Sequence, residues 1–142
     1  MITLRPSRPA DAAALVAGRD AESVRWLGPG VDDPDPTACI LLANEIVGWI
    51  DYDTGRDWLP PGAVNIGYSV FPSYRGKGYA SRAVDLLVRR LAVEGFQTAT
   101  LAIDPDNAAS IAVATRTGFV EQGQVGNNSR YFVLPIQRDR VF

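Results

Sequence analysis

The sequence predicts an α/β fold, a mixed and mostly antiparallel sheet flanked by about four helices. Three observations predict it. The apolar period drops toward two between residues 37 and 71, returns to helical spacing from 78 to 93, and the chain then reads strand, helix and two closing strands. At 142 residues, 46% of them hydrophobic, the length suits one domain with one core, expected to run over 1–142.

Each element has its own signal. "ITLRP" alternates as a first strand, and "PADAAALVAGRD" reads as a helix with Pro9 near its start and Asp11 in its first turn. A short helix follows over "AESVRWL", stopped by the loop "GPGVDDPDP". "TACILLA", "IVGWIDYD" and "AVNIGYSVF" read as three strands of an antiparallel meander, joined by a tight turn at Asn44-Glu45 and the longer loop "TGRDWLPPG". From Gly78 to Val93, Ala80, Ala83, Val84, Leu87, Val88 and Leu91 fall on one helical face, with Ser81, Arg82, Asp85, Arg89 and Arg90 on the other. "TATLAID" is then a strand and "NAASIAVATRT" a helix closed by Gly118, and "FVEQGQV" with "YFVLPI" forms the final pair of strands.

Composition excludes more than any motif does. There is no histidine, so an imidazole base or histidine metal ligand is ruled out, and the lone Cys39 allows neither an internal disulfide nor a cysteine-based metal cluster. No metal is expected. Cys39 sits in a strand-like apolar run and reads as a small buried hydrophobe rather than a catalytic thiol. A formal charge of -2 gives no broad case for nucleic acid. No apolar run is long enough to span a bilayer, and "MITLRPSRPA" lacks the apolar core of a secretory signal, so a cytoplasmic location is expected.

The stretch "YRGKGYASRA", residues 74–83, carries the chemistry. A strand, a glycine-rich turn and a helix put unpaired N–H groups at the positive end of a helix dipole, where phosphate oxygens bind. Gly76 and Gly78 allow close backbone approach, and Arg75 and Lys77 add positive charge. The spacing fits neither a P-loop, which needs G-x-x-x-x-G-K-[ST], nor a dinucleotide fingerprint, whose third small position here is Ser81 in a mid-chain, antiparallel context. A nucleic-acid patch of "RGKG" with Arg82, Arg89 and Arg90 runs against the acidic balance.

Arg75-Gly76-Lys77-Gly78-Tyr79-Ala80 resembles the R/Q-x-x-G-x-G/A signature of the GCN5-related N-acetyltransferase superfamily. With "NIGYSVFPSYRGKGYASRAV" and "LAIDPDNAASIAVATRTGF", the likeness extends over residues 64–120 and is similar to the branch that includes the ribosomal-protein N-terminal alanine acetyltransferases and many bacterial small-molecule acetyltransferases. The resemblance implies a sheet splayed between strands 63–71 and 98–104 with acetyl-CoA in the cleft. It implies that the pyrophosphate rests on the amides of Gly76, Lys77, Gly78, Tyr79 and Ala80, beside Arg75 and within reach of Ser81. The pantetheine arm would pair with backbone at Val70 and Phe71 and be anchored by Asn107, and the Val70 amide would serve the developing oxyanion. Many members have a tyrosine seven residues beyond the asparagine, where this chain has Ala114. The branch it resembles has a serine three residues beyond instead, which makes Ser110 the expected hydroxyl at the sulfur. The alternative for Ser110 is helix capping.

An ammonium acceptor with a pKa of about 10 must also lose a proton. Candidate bases are Asp51, Asp53, Glu45, Tyr52 and Tyr68, or a water relay; Asp51 and Tyr52 are neighbours on a strand, so at most one faces the cleft. The acceptor pocket is expected from residues 20–36, 53–62 and 126–130. There Glu22, Asp32, Asp33, Asp35, Asp53 and Asp57, interleaved with Trp26 and Trp58, suit a cationic amine or serve only as solvated turn formers. The segment ahead of the meander is short for this branch, leaving the site open or completed by the partner subunit of a homodimer. Two functional classes follow. One is an N-acetyltransferase for a small-molecule amine or a peptide N-terminus; the other is a non-catalytic acyl-CoA-binding sensor, suggested by Ala114.

Overall fold

The computed structural model describes residues 1–136; positions 137–142 of the expected domain lie outside them. Its elements are β1 (Ile2–Pro6), α1 (Ala12–Ala17), α2 (Ala21–Leu27), β2 (Ala38–Leu42), β3 (Glu45–Asp53), β4 (Ala63–Val70), α3 (Tyr79–Val93), β5 (Thr98–Ile103), α4 (Ala108–Arg116), β6 (Val120–Val125) and β7 (Ser129–Pro135). The seven strands form a sheet in the order β1-β2-β3-β4-β5-β7-β6. Two compact units divide the chain, one of Met1–Asp51 with Tyr68–Ala83, the other of Tyr52–Gly67 with the chain from Val84 onward.

In the first unit, β1 and β2 pair antiparallel, as do β2 and β3. Ile2, Leu15, Ala38, Cys39, Ile40, Val47, Ile50 and Val70 form its buried core. Burial of each valine, leucine or isoleucine contributes about 1.5–3 kcal/mol. The helix expected over 9–20 is broken into pieces. Pro9–Asp11 forms a 3-10 turn in which the Asp11 carboxylate accepts from the Arg8 amide at 2.8 Å, and α1 stops at Gly18. Asp20 is already extended, with φ of -138°, because it caps α2: its Oδ1 accepts from the Ser23 amide at 2.9 Å while Ser23 Oγ accepts from the Asp20 amide at 3.0 Å. The tight turn falls on Ala43 and Asn44, one residue before the expected pair. Ala43 takes a φ of 55° and Glu45 is already opposite Leu42, the geometry of a two-residue hairpin.

In the second unit, α3 buries Val84, Leu87, Val88, Leu91 and Ala92, the spacing expected of a helix with one core face; in its first turn, by contrast, Ser81, expected on the opposite face, is buried and Ala80 is only half-buried. β5 contributes Ala99, Leu101 and Ile103, and β7 contributes Phe132 and Leu134. β5 pairs antiparallel with β7, and β7 with β6, so the sheet is mostly antiparallel as expected. Its parallel ladder joins β4 to β5 through Ala63↔Thr98, Val64↔Ala99 and Asn65↔Thr100, and Thr100 Oγ1 donates to the Val64 carbonyl at 3.0 Å. Within this unit the parallel pairing runs from Ala63↔Thr98 to Asn65↔Thr100.

Candidate cofactor turn and acceptor pocket

The end of β4 sets the direction of the turn. The Phe71 amide donates to the Val47 carbonyl at 2.8 Å, so Phe71 faces β3. Alternation along an extended chain turns the Val70 amide to the opposite side. The phenyl ring of Phe71 lies against Gly18, where any side chain would collide with it. Pro72–Tyr74 then makes a 3-10 turn, and Gly76 and Gly78 adopt φ of +75° and +82°, the left-handed region that favours glycine.

This turn is a cradle. No atom lies within 4 Å of where a Cβ would stand at Gly76 or Gly78. The first helical bond of α3 runs from the Arg82 amide to the Gly78 carbonyl, which leaves the amides of Tyr79, Ala80 and Ser81 as first-turn donors. Ser81 is only 7% exposed, and its hydroxyl has no hydrogen-bond partner among the described residues. An unmade buried hydrogen bond costs about 1–3 kcal/mol. Open space over left-handed glycines and first-turn amides fit an anionic group such as a pyrophosphate. Lys77 is exposed at the rim.

Arg75 is bound to protein. Its Nη1 and Nη2 meet Asp20 Oδ2 and Oδ1 at 2.7 and 3.0 Å, Nη1 also reaches Glu22 Oε2 at 3.2 Å, and Nε donates to the Val70 carbonyl at 2.9 Å. These partners already balance its charge. The guanidinium, and then the Ser23 amide, hold the Asp20 carboxyl well below the usual carboxylate range. Arg75 therefore ties the start of α2 to the end of β4.

Asp51 faces a cavity of about 330 Å³ within the first unit, together with Leu15, Arg19, Ser23, Trp49 and Ser69. Trp49 and Asp51 are two residues apart on β3 and share its face. Tyr52, on the other face, donates its hydroxyl to Glu94 Oε2 at 3.0 Å and sets its ring edge-on to Phe96. Asp53 accepts from Arg56 at 3.2 Å and Glu45 from the Tyr74 hydroxyl at 3.3 Å. Of the candidate bases, Asp51 is the one that lines this cavity.

The other expected pocket residues are placed differently. Asp35 lines the cavity and accepts from Ser7 Oγ at 2.7 Å, whereas Asp32, Asp33 and Asp57 are exposed. Trp26 lies under the Arg25 guanidinium, and Trp58 packs edge-on to Tyr131. Trp49 is the aromatic wall. In the second unit Asn107 caps α4, its Oδ1 accepting from the Ser110 amide at 3.2 Å, and Ala114 is fully buried.

Residues 34–120 match the acetyltransferase (GNAT) domain family. The chain belongs to this family. The L-methionine sulfoximine/L-methionine sulfone acetyltransferases of Pseudomonas aeruginosa and Pseudomonas paraeruginosa are each 33% identical to it over 87 residues, 58% of this chain and 49% of theirs. The chain spans about half the length of these curated relatives. Aminoglycoside acetyltransferase AAC(6')-Ib in complex with coenzyme A shares the fold with a TM-score of 0.85 at 22% identity, covering 99% of this chain and 98% of that one. Mycobacterium smegmatis RimJ in complex with CoA-disulfide gives 0.74 at 22% identity, covering 94% and 81%.

In this GNAT chain the sequence reading missed Arg19, Asp20 and Trp49. Only Trp49 left a usable signal, its two-residue spacing from Asp51. Cys39 is fully buried with its Sγ 3.5 Å from Asp11 Oδ2, and burial first, then the Asp11 charge, pushes the thiol up to about 11. It is packing, not a nucleophile. Among the described residues, no group of three histidine, cysteine or acidic side chains could hold a metal ion, and no helix is long and apolar enough to cross a membrane.

Proposed function

We propose that this chain is an N-acetyltransferase that moves the acetyl group of acetyl-CoA to a small primary amine by direct attack in a ternary complex. The observation that carries the reading is the open cradle at Gly76 and Gly78 ahead of the first-turn amides of α3. The CoA complexes among the structural neighbours and the acetyltransferase relatives support it.

Acetyl-CoA, when bound, supplies an acyl carbon activated as a thioester. The chain's own groups do the rest. The amides of residues 76–80 and the Ser81 hydroxyl hold the pyrophosphate. The Val70 amide, turned away from β3, donates to the acyl oxygen as negative charge builds there. Asp51 attracts the ammonium form of the acceptor and takes its proton, directly or through water. The freed nitrogen lone pair forms the C–N bond, the C–S bond breaks, and the nitrogen's second proton passes through solvent to the departing thiolate, giving the amide and the free thiol. Asn107 anchors the pantetheine arm and Ser110 gives the departing thiolate its hydrogen bond, roles taken from the family resemblance.

A protein N-terminus, one of the acceptors that the resemblance implies, is the weaker reading, since a cavity of about 330 Å³ suits a compact amine. A sensor that binds acyl-CoA without turnover is favoured by one observation, the buried alanine where many members have a tyrosine. Calorimetric titration with acetyl-CoA, followed by thiol release over a panel of amines and N-terminal peptides, separates these readings. Amine-dependent CoA release is expected. Binding without release on any acceptor would favour the sensor, and no binding would overturn the cofactor assignment.

A further inference from the structure

Three arginines of the first unit are partly buried: Arg5, Arg19 and Arg75. Arg5 is paired with Asp11 at 2.9 and 3.0 Å, and Arg75 with Asp20 and Glu22. Arg19 differs. It lines the cavity that holds Asp51, and no described carboxylate lies within 4.0 Å of its guanidinium. Among the described residues its one side-chain hydrogen bond is Nη2 to the Val31 carbonyl at 2.6 Å, which leaves other donors of the guanidinium fork uncommitted there.

The loop is shaped around this side chain. Gly30 has a φ of +74°, and a Cβ there would stand 2.6 Å from Arg19 Nη2, so the guanidinium lies across the backbone only because residue 30 is glycine. The cavity thus presents a held cation, the carboxylates of Asp35 and Asp51, and between them the apolar surfaces of Leu15, Leu27 and Trp49. A simple cationic amine has no use for a guanidinium in its pocket and would be repelled by it. An acceptor that carries an anion as well as an amine matches both signs.

We propose that Arg19 reads a carboxylate on the acceptor, so that the preferred substrates are small amino carboxylates with an apolar middle. This rests on the acetyltransferase reading and on its assignment of the cavity to the acceptor. The guanidinium accepts two oxygens of a carboxylate in its plane, which a lysine cannot reproduce. The competing explanation is that Arg19 serves only to tie down the loop at Val31.

The test uses matched probes: L-methionine, L-leucine and 4-aminobutyrate, each beside its methyl ester. Thiol release gives kcat/KM for each with the wild-type protein, Arg19→Gln and Arg19→Lys. Calorimetry of the same probes in the presence of CoA gives binding without turnover. A charge-assisted hydrogen bond is worth about tenfold or more. The wild-type protein should therefore prefer at least one carboxylate over its ester by about that factor, and Arg19→Gln should bring the ratio toward one. Arg19→Lys should retain part of the preference. Equal losses for acid and ester would show a loop tie only and overturn the proposal. So would a wild-type protein that releases CoA or binds probes without distinguishing acid from ester, or binds none of them. Loss of acetyl-CoA binding itself would instead mark failure of the underlying acetyltransferase reading.

Discussion

Arg75 holds Asp20 through both terminal nitrogens, at 2.7 and 3.0 Å, while its Nε holds the Val70 carbonyl at 2.9 Å. One side chain therefore fixes the spacing between the helix that carries Ser23 and Leu27 into the cavity and the strand end that presents the Val70 amide. The signature arginine is thus committed to protein groups, an arrangement that suits a positioning role. Arg75→Lys keeps the charge but cannot bridge the three acceptors in one plane. It should lower kcat/KM on the order of tenfold by loosening alignment, with a smaller change in acetyl-CoA affinity. Steady-state kinetics beside a calorimetric Kd checks this, and a loss confined to cofactor affinity would return Arg75 to direct pyrophosphate contact.

Gly78 separates backbone strain from steric blocking. Because its φ is +82° and no atom stands within 4 Å of a Cβ, Gly78→Ala should cost about 1–2 kcal/mol from the left-handed backbone alone. Gly78→Trp carries the same backbone cost and in addition fills the cradle. The alanine variant should bind acetyl-CoA weakly, and the tryptophan variant not at all, with similar thermal stabilities. Full affinity in the tryptophan variant would remove the pyrophosphate from this turn.

Acid should loosen the first unit in a defined window. The Arg5 guanidinium first, and then the Arg8 amide and Cys39 thiol, lower the Asp11 carboxyl from 3.8 to about 2. A carboxyl depressed on folding stabilises the fold above its unfolded value and loses that contribution as pH falls through the folded one. The stability lost between about pH 5 and pH 2 should therefore be smaller in Asp11→Asn than in the wild-type protein, although the variant is less stable at neutral pH. Urea midpoints measured across that range give the comparison. Parallel curves would mean that Asp11 has no such coupling.

Much of this was legible in the sequence because it depends on local pattern. The face of α3, the glycine turn and the Asn107 cap follow from spacing and residue type within a few positions of one another. Other features depend on pairs far apart in the chain. Arg75 meets Asp20 across 55 positions and Ser7 meets Asp35 across 28, and no periodicity marks either pair. The tryptophans show the same limit. Loop composition pointed to Trp26 and Trp58, but the strand period places Trp49 beside Asp51. The broken first helix also had a tertiary cause, since Gly18 is needed against the Phe71 ring and Asp20 is needed as a cap.

Asn107 and Ser110 have separable tasks that two variants distinguish. The asparagine carbonyl caps the Ser110 amide, so Asn107→Ala should destabilise the protein by about 1 kcal/mol in addition to any effect on the cofactor arm. That side-chain cap belongs to Asn107, so Ser110→Ala should leave it in place. If its hydroxyl supports the leaving thiolate, kcat and kcat/KM for acetyl-CoA should fall together, on the order of tenfold or more, with an unchanged calorimetric Kd. The loss should shrink with an acyl donor whose thiol leaves more readily, because a better leaving group needs less help. Unchanged turnover would reduce Ser110 to a position in the first turn of α4 and leave thiolate departure to solvent.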